Sequence, residues 1–175
     1  MAKRAPTRER ILDATADIAL EEGVLHLTLE AVAKRAGISK GGLLYHFPSK
    51  EALIAGLMEQ YVADFSQQMQ ARQERTSLEA YVDLTLSLDD SSRRLEAAML
   101  TATLLNPDLM APLQERYRVL QNAITRDSSD PTLATLIRLA VDGLWLTELL
   151  GLASPKGEAR RDLEGRITEL LQEVS

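Results

Sequence analysis

The chain of 175 residues contains no cysteine, which excludes disulfides, thiolate metal sites and thiol-based redox sensing together. Histidine is nearly as scarce. His26 and His46 are the only imidazoles, so neither a metal site nor a transition-metal effector is expected, and no cofactor is expected either. Also absent are the GxxxxGK, GxGxxG and GxSxG patterns, which let a backbone cradle phosphate or expose a nucleophile, and any metal-binding pair of histidines. An enzyme is therefore not expected. No apolar run is long enough to span a bilayer and no charged-then-apolar leader opens the chain, so the reading is a soluble, cytoplasmic protein without a membrane partner. Strand-like alternation is missing too, which leaves an all-α fold.

What the chain does have is helical punctuation, densest in residues 27–53, LTLEAVAKRAGISKGGLLYHFPSKEAL. Thr28 can offer its hydroxyl to otherwise unpaired amides, and Leu29, Val32, Ala33 and Ala36 follow at helical spacing. Gly37 ends that short helix, since glycine enters the left-handed region without steric cost. Ser39 can cap a second helix with Leu43 and Phe47 facing inward, and Ala33 is small enough for the two helices to cross closely. Pro48 closes it after about two turns, because the residue before proline is pushed out of helical geometry. Two short helices around a tight turn are a helix-turn-helix.

Its outward face carries Ser39, Lys40, Gly41, Gly42, Tyr45 and His46: a cation, hydrogen-bonding groups and bare backbone, which suit a DNA major groove. The adjacent glycines have two readings. Each costs about 1 kcal/mol against alanine inside a helix, so either a bulky neighbour such as DNA needs the space, or the helix start simply tolerates them. His26 reads as a loop or packing residue, whereas His46 suits either a contact or the last helix carbonyls.

From Thr7 to Leu57 the chain resembles the DNA-binding domain of the TetR family of transcriptional regulators, with TLEAVAKRAGISKGGLLYHFPSKEAL following the family pattern almost position for position. By position, the resemblance implies phosphate contacts from Thr28, Tyr45, His46 and Lys50, and base-edge contacts from Ser39, Lys40, Gly41, Gly42 and Leu44. Leu44 departs from the pattern, where an aromatic is common; leucine can touch a thymine methyl but cannot donate a hydrogen bond.

Charge is divided along the chain. Residues 1–50 hold eight Lys and Arg against six Asp and Glu, while residues 51–175 hold twelve against twenty, giving +2 and −8. The positive field thus sits at the DNA-reading end. Lys3, Arg4, Arg8 and Arg10 read either as a solubilising terminus or as phosphate and minor-groove contacts.

Upstream, TRERILDATADIALEEG reads as a first helix capped by Thr7 and stopped by Gly23, with Ile11, Ala14, Thr15, Ile18 and Ala19 on one face. A linking helix from about 49 to 70 is capped by Ser49, with Glu51 in its first turn and Leu53, Leu57, Tyr61 and Phe65 as its stripe. Further helices are read over 77–88, 91–105, 108–126, 131–152 and 158–174, with Met99 and Met110 as core filler. The expected organisation is a three-helix DNA-binding domain over residues 1–50 and a helical effector-binding and dimerisation domain over 51–175, about nine helices in all.

Residues 131–152 are apolar on nearly every side. Such a helix must be covered on nearly every side, either by its own core or by a partner subunit. Leu136, Leu139, Leu146 and Leu150, with Leu163, Ile167 and Leu170 of the last helix, are the expected homodimer interface, a four-helix arrangement across a two-fold axis. Such a dimer would set two recognition helices about 34 Å apart, one DNA turn. The resemblance implies a small organic effector in the C-terminal domain that releases a palindromic operator, so the chain is read as a ligand-responsive repressor. Candidate pocket residues are Met99, Thr103, Tyr117, Arg138, Asp142 and Trp145; Arg138 and Asp142, one turn apart, equally suit an ion pair. The rival is a helical protein that binds DNA or a protein partner without small-molecule control.

Overall fold

Each helix begins and ends where short-range chemistry lets it. In the computed structural model, which describes residues 6–174, nine α-helices and two 3₁₀ turns account for the regular structure among the described residues. Packing divides the chain into two units, one containing residues up to Asp64 with Asp90–Leu113, the other Phe65–Asp89 with residues from Gln114 onward. The cut expected from the sequence lies at residue 50; the packing cut falls later, because the start of the linking helix continues the first core. No helix among the described residues is long and apolar enough to cross a membrane.

In the first unit, α1 (Thr7–Glu21) starts from Pro6 with no side-chain cap, so Thr7 lies inside the helix and not at its boundary. Proline supplies a preset φ there and has no amide to satisfy. Thr15 is buried and donates to Ile11 O at 2.7 Å, so its hydroxyl costs nothing unpaired. A 3₁₀ turn (Val24–His26) leads to α2 (Leu29–Ala36), where Thr28 accepts from Ala31 N at 3.2 Å. Gly37 has φ 65° and ψ 42°, and the Ile38 amide reaches back to Ala33 O at 3.0 Å. The turn that aims the next helix is thus fixed by a glycine geometry.

Helix α3 (Lys40–His46) is capped by Ser39, which accepts from Gly42 N at 3.1 Å, and α4 (Lys50–Gln70) by Ser49, which accepts from Ala52 N at 3.1 Å. Ile11, Leu12, Val32, Leu43, Phe47, Leu53 and Leu57 close one core, joined by Met99 and Ala102 of α6 (Asp90–Leu105) and by Leu109. Gly56 is required within it. A Cβ at that position would lie 2.6 Å from Phe47 Cε1 and 3.3 Å from Leu12 Cδ2, so Phe47 can cover α4 only over a bare backbone.

Residues 106–127 differ from the single helix expected over 108–126. Asn106 accepts from Asp108 N at 3.2 Å and Pro107 opens a 3₁₀ turn, Pro107–Met110, before α7 (Ala111–Asp127). The Asn-Pro pair makes a tight turn before it makes a helix.

The second unit holds α5 (Ser77–Leu86), α8 (Pro131–Leu150) and α9 (Gly157–Val174), with most of α7. Thr76 and Glu79 form a reciprocal capping box at the start of α5, and Asp130 caps α8 by accepting from Thr132 N and Leu133 N. Helices α5 and α9 pack on α8, burying Leu78, Tyr81, Leu84, Ala134, Ile137, Val141 and Ile167 around Leu120 and Ile124. Gly151, at φ 66°, ends α8.

Helix α8 therefore has two apolar faces with different fates. Ala134, Ile137, Val141 and Leu144 are buried, whereas Leu136, Leu139, Leu146 and Leu150 are exposed, Leu136 by 58%. Ile167, expected at a subunit interface, is a correction: it is 3% exposed within its own core, because the stripe of α9 turns toward α8. Leu163 and Leu170 are half-buried against the same core.

Candidate nucleic-acid interface

The recognition face is built by anchoring one side of a seven-residue helix and leaving the other bare. Leu43 and Phe47 are buried, while Lys40, Gly41, Leu44, Tyr45 and His46 are exposed, as are the caps Ser39 and Thr28. Tyr45 is 86% exposed, with its ring edge-on to His46 at 5.2 Å between centroids. An aromatic displayed to that extent beside the exposed Leu44 is an unusual surface for a short helix whose other side is buried.

The two glycines differ. A Cβ at Gly41 would meet nothing within 4 Å, so nothing in the chain demands glycine there; at Gly42 it would come 3.3 Å from the capping Ser39 Oγ. Space outside the protein remains the argument for Gly41.

Cations around this face are already engaged. Lys50 Nζ donates to Leu25 O at 2.8 Å, tying the start of α4 to the 3₁₀ turn. Lys40 Nζ donates to the Glu30 carboxylate of α2. Arg35 makes two hydrogen bonds to Glu21, at 3.0 and 2.7 Å, and these hold the Glu21 carboxyl below its ordinary range. Two N-terminal arginines make contacts within the chain: Arg10 donates to Ala36 O at the end of α2, and Arg8, which stays exposed, lies 5.4 Å from the Phe47 ring centre and pairs with Glu59. Lys3 and Arg4 lie outside the described residues.

The expected pocket residues do not form one group. Met99 and Thr103 are buried in the first unit, where Thr103 donates to Leu100 O at 2.8 Å. Tyr117, Arg138 and Asp142 do meet in the second unit, together with Tyr81 and Gln121, which the sequence reading missed. Arg138 pairs with Asp142 at 2.5 Å and donates to Gln121 at 2.6 Å; Tyr81 donates to Asp142 and lies 3.2 Å from the Tyr117 hydroxyl. Burial raises the Asp142 carboxyl against the opposing pull of the Tyr81 hydrogen bond and the Arg138 charge, and burial with two polar neighbours pushes the Tyr81 phenol far up. Trp145 is half-buried, and Glu148 pairs with Arg160 of α9 at 2.6 Å.

A cleft of about 500 Å³ opens elsewhere in the second unit, between α5 and α9, with Val82, Leu86 and Leu171 among charged residues that include Arg75, Glu79 and Glu164. No expected pocket residue lines it. The signal that could have suggested it is the pair of facing stripes on α5 and α9, but their spacing is set by helices far apart in sequence.

Comparison with known proteins agrees with this architecture at both ends of the chain. Residues 11–57 match the family described as bacterial regulatory proteins, tetR family, and residues 75–172 match the tetracyclin repressor-like C-terminal domain. The HTH-type transcriptional regulator UidR of Escherichia coli (strain K12) is 28% identical over 132 residues, covering 71% of this chain and 66% of UidR, just under two thirds of that relative's length. The crystal structure of a transcriptional regulator, SCO7518 from Streptomyces coelicolor A3(2), superimposes with a TM-score of 0.70 at 28% identity, over 95% of this chain and 99% of that one. The multidrug binding protein EbrR, crystallised with proflavin, superimposes with a TM-score of 0.64 at 25% identity, over 93% and 99% of the two chains. A helix-turn-helix head with its outer face bare, followed by a helical C-terminal part that matches its own family over residues 75–172, has one assignment: the chain belongs to the TetR family of DNA-binding transcriptional regulators and is not an enzyme.

Proposed function

We propose that the protein is a homodimeric repressor acting in the cytoplasm, which binds a palindromic operator through α3 and releases it when a small organic effector enters the C-terminal part. The observation that carries this reading is the asymmetry of α3, anchored by Leu43 and Phe47 and bare along Ser39, Lys40, Gly41, Leu44 and Tyr45. Base edges are read by Ser39, Lys40, Gly41, Gly42 and Leu44, and phosphates by Thr28, Tyr45, His46 and Lys50. Lys50 retains donors beyond the one given to Leu25 O, since an ammonium has three.

Dimerisation is supported by the leucine face of α8. Leu136, Leu139, Leu146 and Leu150 are exposed at helical spacing, and each buried leucine contributes about 1.5–3 kcal/mol. Leu163 and Leu170, half-buried at the edge of the second core, would extend that interface, while Ile167 stabilises the subunit from within. Division of the chain into a DNA-reading part and an effector part follows the two matched families. An organic effector is supported by the Tyr117 ring beside Arg138, with the half-buried Trp145 on the same helix as the Arg138–Asp142 pair, and by the likeness to EbrR, which was crystallised with proflavin. Met99 and Thr103, buried in the other unit, enter this reading only as residues that an effector-driven shift of α6 would move. One observation favours a second reading: the Arg138–Asp142–Tyr81 network is closed on itself, as a structural polar cluster would be, in a regulator that answers to no small molecule.

Selection of bound fragments from random DNA tests the first claim. Inverted half-sites about one helical turn apart are expected, from a protein that light scattering finds dimeric. Enrichment of no sequence, with binding governed by salt alone, would sink it.

A further inference from the structure

The Glu30–Lys40 pair stands where a DNA-binding protein should least want a carboxylate. Glu30 is the second residue of α2 and Lys40 the first of α3; the two side chains meet across the turn, 65% and 54% exposed respectively. The lysine ammonium holds the Glu30 carboxyl below the usual carboxylate range, so it is ionised at neutral pH. Stability does not explain the pair, because exposed ion pairs contribute at most about 1 kcal/mol and often nothing. A favourable helix-dipole position does not explain it either, since that needs a carboxylate in the first turn but not one that reaches Lys40. Against a duplex with one charge per about 1.7 Å, the carboxylate is repelled and the lysine is held back from the phosphates.

The major groove offers a way to satisfy both groups. A G·C pair displays the guanine N7 and O6 acceptors beside the cytosine N4 amino donor, and lysine and glutamate are the ordinary partners of those two edges. An ammonium hydrogen-bonded to a carboxylate presents donor beside acceptor, the complement of that edge. An A·T pair instead places its amino donor between two acceptors and carries a methyl at the far side. We propose that Glu30 and Lys40 read one G·C pair in each half-site as a unit, Lys40 on guanine and Glu30 on cytosine, which makes Glu30 a specificity-determining residue of this regulator. The inference rests on α3 being the DNA-reading helix. Lys40 alone would accept any phosphate or guanine; tethered to Glu30, it binds poorly wherever the carboxylate finds no amino group.

The test takes the full chain as wild type, Glu30→Gln and Glu30→Ala through random-site selection, then measures affinity by anisotropy for the selected operator with each G·C pair exchanged in turn. Wild type is expected to show one pair per half-site whose exchange for A·T or inversion weakens binding roughly tenfold, the range for one base-specific contact. Glu30→Ala should lose that preference while binding random DNA more tightly, and Glu30→Gln should shift the same position toward adenine, which glutamine reads. Because Glu30 is exposed, both variants should melt with the wild type, and a matching melt makes the comparison one of recognition alone. Unchanged base preference in both variants overturns the proposal and leaves the regulator assignment standing. A wild type that selects no sequence overturns the assignment and this inference together.

Discussion

Helices α3 and α8 each expose a face to solvent among the described residues, and the two faces have opposite chemistry. The outer face of α3 is short, rich in glycine and polar groups, and ringed by Lys40, Tyr45 and His46; that of α8 is a row of leucines from Leu136 to Leu150. A hydrated polyanion is met by the first kind of surface, which offers directional bonds at little cost in desolvation. In the proposed dimer a second copy of the same helix would be met by the second kind, which gains by excluding water. On that reading the two surfaces would not compete, because each would be a poor partner for the other's ligand.

The largest expected effect comes from breaking the α8 face. Leu136→Glu with Leu139→Glu should yield monomers by light scattering and lower operator affinity by roughly a hundredfold or more, since each half-site would then bind alone. Helical content by circular dichroism should stay unchanged, because neither leucine belongs to the core. A dimer that survives both charges would remove α8 from the interface.

Next in size is the support behind α3. Gly56→Ala puts a methyl 2.6 Å from the Phe47 ring and should destabilise the fold by about 1–3 kcal/mol in urea titration, with the DNA-reading unit the part that loosens. An unchanged midpoint would mean that Phe47 moves aside without cost and does not anchor the helix.

The face itself is separated by two lysines. Lys40→Met should change which sequence is preferred, whereas Lys50→Met should weaken all sequences alike and lower the salt slope by about one. Identical behaviour would dissolve the distinction between base and phosphate contacts. Lys50→Met should also lose a little stability, since its ammonium ties α4 to Leu25 O.

The smallest effect lies in the second unit. Hydrogen bonds from Arg72, aided by the Arg75 charge, hold the Asp83 carboxyl below its ordinary value of 3.8. A lowered folded value means that the stabilisation is complete above pH 3.8 and is lost as pH falls through the folded value. With Asp83 two-fifths exposed the gain is at most about 1 kcal/mol. Asp83→Asn should lower the melting temperature slightly at neutral pH, with the difference from wild type closing as pH falls below 3.8 and through the folded value.

Much of the DNA-reading unit could be read from the sequence, because its punctuation is local. Thr28, Gly37, Ser39 and Ser49 act on amides or dihedrals within a few residues, and each does in the structure what its residue type allows. The same local reasoning placed the cap of α1 at Thr7, where Pro6 serves, and ran a 3₁₀ turn into α7, where Asn106 accepts from Asp108 N. Pairings across long stretches of chain left no such trace. Nothing in the sequence near Arg10 announces the carbonyl of Ala36, and nothing near Asp142 announces Tyr81, sixty-one residues away.

By itself, then, the sequence determined the family, the helical class and the residues that ring the recognition helix, since caps, turns and apolar periods act over one or two turns of backbone. Only the tertiary structure decided which apolar stripe is spent within the subunit and which remains free: Ile167 went inside, while Leu136 and Leu139 stayed out. It also placed Met99 in the first core and set Lys40 against Glu30. Periodicity says that a helix has an apolar face; which neighbour covers that face depends on helices brought together from distant parts of the chain, where burial and pairing are contested all at once.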